Sequence, residues 1–141
     1  MEELRDWVRQ FFDHELLVGQ TVAVLSRLPE EVRVDLTCDP GFVMNLIDTD
    51  VPGPVTRRLG RLTAGAPARS VTLKLSLARR EPEFAAYVIA HEFAHAYLRN
   101  VCRCDAEADA DELAAVWGFP APPMTTGVFA RIRESLRISR G

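Results

Sequence analysis

The chain has 141 residues, of which 48% are apolar and 26% charged, and a formal net charge of −3. That length supports one hydrophobic core and not two, so a single domain over 1–141 is expected. The balance of charge and apolar residues is that of a soluble globular protein, and it excludes a disordered tail or a bulk polyanion binder.

Taken in chain order, residues 3 to 18 place Leu4, Trp7, Val8, Phe11, Phe12, Glu15 and Leu16 at spacings of three and four. This spacing predicts an amphipathic helix, and it puts His14 on or near the apolar face as a packed or surface residue. A second helix is expected from about Thr21 to Leu28, ended by Pro29. Val32 to Leu36 alternates apolar and polar residues, the period of a half-buried strand, before the Asp39-Pro40-Gly41 turn. A further strand is expected over Phe42 to Ile47. Residues 48 to 69 carry too many breakers for one element. Arg57, Arg58, Arg61 and Arg69 make this stretch basic, but no aromatic residues interleave with them, so a solvated loop is expected and not a nucleic-acid surface.

Val71, Leu73, Leu75 and Leu77 alternate with Thr72, Lys74 and Ser76, which predicts a strand over 71–77 with one packed and one wet face. Glu81-Pro82 then opens a helix over roughly 83–99. A helix over about 105–117 follows, with Asp105 as its N-cap and Gly118 at its end. Pro120, Pro122 and Pro123 lead to a last helix over about 126–139. No basic leader precedes an apolar run and nothing approaches a membrane span. The three cysteines, Cys38, Cys102 and Cys104, are an odd, sparse set. A reducing, cytoplasmic setting is the expectation, with ordinary thiols.

The chemistry concentrates in FAAYVIAHEFAHAYLRN, residues 84 to 100. Positions i and i+4 of a helix share a face, so His91 and His95 can aim two imidazoles at one point. Glu92 is rotated from His91 by about 100°, which suits it to act as a base on a water held there. A hydrolytic zinc site needs a third protein ligand and an open position. The only other histidine is His14, far upstream, which leaves a carboxylate or a thiolate. Glu107 and Asp111 are again four apart, with Ala110 and Ala114 permitting close approach of two helices. A glutamate would complete the set, and an aspartate one turn on could accept the other N–H of a ligand histidine. Tyr87, one turn before His91, is expected mainly to pack in the core.

Together HEFAH (91–95) and EADAD (107–111) resemble the HExxH and ExxAD motifs of zincin metallopeptidases of the gluzincin type. The short chain and the AD..A..WGF pattern over residues 110 to 119 are similar to the compact bacterial ImmA/IrrE-like group and the minigluzincins, over roughly residues 70 to 119. A bacterial source agrees with a basic complement that is arginine apart from Lys74.

The resemblance implies one Zn²⁺ held by His91, His95 and Glu107, with Asp111 behind a ligand histidine and Glu92 as general base. It implies an α+β, zincin-like fold: a small mixed or antiparallel sheet packed on the active-site helix, a second ligand-bearing helix and a C-terminal helix. The strand over 71–77 would border the cleft, where an extended peptide or protein substrate could pair with its edge. The tyrosine or histidine that often steadies the oxyanion in larger relatives has no identifiable counterpart. A metallopeptidase is therefore the expected function, with no membrane or nucleic-acid partner. A zinc-bound regulatory or protein-interaction module that cleaves nothing is the alternative.

Overall fold

A computed structural model describes residues 2–48, 69–101 and 106–122. The elements run α1 (Glu2–Arg9), α2 (Glu15–Arg27), α3 (Glu30–Thr37), β1 (Phe42–Ile47), β2 (Arg69–Lys74), a 3₁₀ helix (Leu75–Arg79), α4 (Pro82–Val101) and α5 (Glu107–Val116). The fold is α+β. No helix among the described residues is long and apolar enough to cross a membrane. Most of the expected 48–69 loop, Cys102, Cys104, Asp105 and the expected 126–139 helix lie outside the described residues.

Two expectations for the N-terminal part are corrected. The helix expected over 3–18 is broken after Arg9, and α2 starts at Glu15. His14 makes the break: its backbone is extended (φ −106°, ψ 109°), and its Nδ1 accepts a hydrogen bond from the Leu17 N–H at 3.3 Å as the N-cap of α2. This cap satisfies one of the donors that a helix start leaves without an internal partner. The strand expected over 32–36 is instead the helix α3. Val32 and Leu36, four apart, are buried while Val34 between them is 49% exposed, so the burial has a helical period. Pro29 precedes α3 and Glu30 and Glu31 occupy its first turn, where the helix dipole favours acids. Arg33 reaches back and donates to the Leu28 and Leu25 carbonyls at the end of α2.

The sheet is also corrected. β1 and β2 pair in parallel, Phe42 opposite Arg69 through Ile47 opposite Lys74, and they are the whole sheet among the described residues. Parallel neighbours need a crossover connection of a dozen or more residues, and residues 48–68 provide that length. Phe42, Met44, Val71 and Leu73 form the buried face. Alternation in β2 is as expected, but the strand begins at Arg69 and gives way to the 3₁₀ helix at Leu75, and its outer face is half-buried.

Aromatic side chains fix the back of α4. Trp7 of α1 stacks on Phe42 of β1 with centroids 5.4 Å apart, and Phe42 stacks in turn on Phe93 of α4 at 6.2 Å. Phe11 meets both Trp7 and Phe42 edge-on. Each such pair contributes about 0.5–1.5 kcal/mol beyond its buried area. Phe93 lies two residues past His91, on the opposite side of the helix, so this stack leaves the histidine face turned toward α5. On that side Ala110 and Ala114 are fully buried where α5 packs on α4. α5 ends at Gly118, whose φ of +99° is a left-handed conformation suited to glycine. The Gly118 N–H donates to the Ala115 carbonyl and the Phe119 N–H to the Ala114 carbonyl, a Schellman closure.

Arg69 departs from the expectation for the basic stretch, because its side chain is buried and not a solvated loop charge. Its guanidinium bonds Asp35 of α3 at 2.7 Å and Asp39 at 2.8 Å, and donates to the Ala96 carbonyl of α4 at 3.0 Å. Asp35 also accepts from Asn100 at the end of α4. One cation thus joins α3, β2 and α4. Arg69→Leu is expected to lower stability by about 3–5 kcal/mol in chemical denaturation, because it strands two partly buried carboxylates. A loss below about 1 kcal/mol would show that the cluster contributes little.

Candidate metal centre

His91 and His95 stand one helical turn apart on α4, 2% and 5% exposed, with ring centroids 4.8 Å apart and planes inclined by 74°. Their Nε2 atoms approach to 3.2 Å. From α5, Glu107 completes a triangle: Oε1 lies 3.0 Å from His91 Nε2 and Oε2 lies 3.1 Å from His95 Nε2. The sequence therefore places these three side chains together as expected. They are the group of three among the described residues whose ligand atoms converge tightly enough to hold a metal ion.

Protons satisfy these contacts in one arrangement only: with a hydrogen on each Nε2, each ring donates to its own Glu107 oxygen. With a hydrogen on only one Nε2, a ring lone pair faces a carboxylate oxygen. A cation at the centre meets both imidazoles and the carboxylate at once. Tetrahedral zinc, with bonds of about 2.0–2.1 Å, separates its ligand atoms by about 3.3–3.4 Å, close to the spacings seen here. Two imidazoles and one carboxylate are also the nitrogen and oxygen donors that zinc accepts at catalytic sites. The residues present fit the ion.

Asp111 takes the position expected for it, behind His91. Its Oδ1 lies 2.7 Å from His91 Nδ1, within ion-pair reach although the ring N–H does not point squarely at the oxygen. A carboxylate there favours the proton on Nδ1 and leaves the Nε2 lone pair for the ion. Glu107 and Asp111 keep 28% and 20% of their side-chain surface exposed against 3% for His91. The cluster is thus closed on the α4 side and reached by solvent from the α5 side. Glu92 follows His91 on α4 and is buried.

Two side chains carry more here than their sequence context suggests. The Tyr87 hydroxyl donates to Asp111 Oδ1 at 2.6 Å, so this core residue also belongs to the polar cluster. Its position four residues before His91 was the available signal. Arg69 holds α4 through the carbonyl next to His95, and nothing in an arginine-rich segment separates it from its neighbours. Tyr97, by contrast, packs edge-on against Trp117, and its phenol pKa is raised by burial and then by Glu31 and Asp35. His14 is a helix cap, and Cys38 is an exposed free thiol.

No protein-family model, no curated protein and no solved structure matches this chain. What the centre does is therefore argued from its own geometry.

The purified chain is expected to carry about one zinc ion, and His95→Ala or Glu107→Ala to carry well under half of one, by elemental analysis after dialysis. Undiminished zinc in either variant would show that the ligand set is wrong.

Proposed function

We propose that the chain is a zinc-dependent metallopeptidase of the gluzincin type, with a zincin-like arrangement of α4, α5 and the small sheet. The observation that supports this most is the convergence of His91, His95 and Glu107, two imidazoles and a carboxylate whose ligand atoms are close enough to share one cation. His91, His95 and Glu107 would hold the ion. A zinc ion so held supplies Lewis-acid polarisation of a peptide carbonyl and lowers the pKa of its water to about 7.

Glu92 is the base in this reading. It accepts a proton from the attacking water and returns it to the departing amine, so that the amine leaves neutral. Its place beside His91 on a helix clamped from behind by Phe93 keeps that carboxylate at a set distance from the ligand face. Asp111 holds His91 in the tautomer that presents Nε2. β2 pairs with β1 along one edge, and no described strand pairs along the other. An extended peptide would add there by main-chain hydrogen bonds.

Cleavage of an unstructured protein such as casein, with and without a chelator, tests the activity. Chelator-sensitive cutting is expected. Glu92→Gln is expected to keep its zinc while kcat/KM falls by at least about a hundredfold, the lower end of what general acid–base groups contribute. A zinc-loaded variant that cuts at the native rate removes Glu92 from the mechanism. A wild-type chain that holds one zinc and cuts nothing is the non-cleaving module.

A further inference from the structure

Tyr87 poses a question that core packing does not answer. It is 1% exposed and its ring lies 6.2 Å from Phe84, among side chains that a phenylalanine would serve equally well. A buried phenol needs a partner for its O–H, and here the partner is a carboxylate. At 2.6 Å to Asp111 Oδ1 the bond has the length of a charge-assisted hydrogen bond. The same Oδ1 is the atom 2.7 Å from His91 Nδ1. Tyr87 and His91 are one turn apart on α4, with ring centroids 5.8 Å apart. A phenol and an imidazole on one helix therefore bracket a single oxygen of a side chain on the other.

We infer that Tyr87 is a positioning residue of the metal centre, holding Asp111 Oδ1 against His91 so that His91 presents its Nε2 lone pair to the ion. The inference rests on the ligand set proposed above. Asp111 is a fifth exposed and one turn from Glu107, so its carboxylate has two competing courses. It can turn to water, or swing toward the ion as an additional ligand. The phenol hydrogen bond opposes both by fixing the oxygen that faces Nδ1. It also ties α4 to α5 at the level of the ligands, beside the buried Ala110 and Ala114. Because the hydroxyl touches Asp111 and not the ion, its effect must pass through Asp111.

The test uses the whole chain stripped of metal, with zinc alone as the probe, titrated in competition with a chromogenic chelator. Tyr87→Phe removes one oxygen and keeps the ring, and its thermal unfolding without metal checks that the fold survives. It is expected to bind one zinc about tenfold more weakly than wild type, the lower end of what outer partners of a ligand histidine contribute. Asp111→Ala is expected to weaken binding at least as much, and adding Tyr87→Phe to it to weaken binding no further. Phe84→Leu, which alters packing beside the ring and leaves the hydroxyl, is expected to leave zinc affinity unchanged.

Equal affinity of wild type and Tyr87→Phe overturns the inference and leaves the ligand set standing. A Tyr87→Phe effect of full size in the Asp111→Ala background also overturns it. A wild-type chain that takes up no zinc overturns the ligand set and this inference together.

Discussion

Two imidazoles and a carboxylate, joined by contacts of 3.0 to 3.2 Å, are the constraint on which the rest of the structure depends. Two imidazoles and a carboxylate gathered this closely need either protons or a cation between them, because burial removes the water that would otherwise solvate them. Such a cluster persists when the surrounding packing imposes it and when a cation meets it. The packing is visible on both sides: the Trp7–Phe42–Phe93 stack behind α4, and the buried alanines of α5 in front.

This division of labour explains how a short chain can build a demanding site. The apolar face of α4 belongs to the core and carries its share of folding free energy, while the opposite face carries the polar cluster beside the buried alanines of α5. α4 is held against the starting end of both strands: Phe93 meets Phe42 at the start of β1, and the Ala96 carbonyl meets Arg69 at the start of β2. α5 is attached more lightly. Ala106 at its N-cap offers no side-chain hydrogen bond, and much of its polar contact with α4 runs through Glu107 and Asp111. An ion that binds the assembled cluster and not the unfolded chain would add to the stability of this pairing, with the logarithm of free ion over its dissociation constant.

The candidate site was legible because helical geometry is rigid. A spacing of four residues, twice repeated, fixed which side chains share a face, and the small residues Ala110 and Ala114 indicated that the two faces could meet. The path of the chain was less legible. Val-Arg-Val-Asp-Leu satisfies a period of two and, through Val32 and Leu36, a period of four; the tertiary burial of those two residues decides for the helix α3. The break between α1 and α2 was hidden because the apolar spacing continues across it, and only the local bond from Leu17 to His14 ends one helix and starts the next. Strand direction is a property of the connection and not of the strand, so the parallel pairing of β1 and β2 left no local mark. Arg69 and Tyr87 share one cause: each gains its role from partners far away in sequence, Asp35 and Asp111, which periodicity cannot supply.

X-ray absorption at the zinc edge of the purified, zinc-loaded chain tests the central claim most directly. Two imidazole nitrogens and carboxylate or water oxygens should account for the whole inner shell, at about 2.0–2.2 Å. Sulfur scattering at about 2.3 Å, the mark of a thiolate ligand, would contradict the assignment of Glu107 as the third ligand, and an absence of bound zinc would contradict the centre itself.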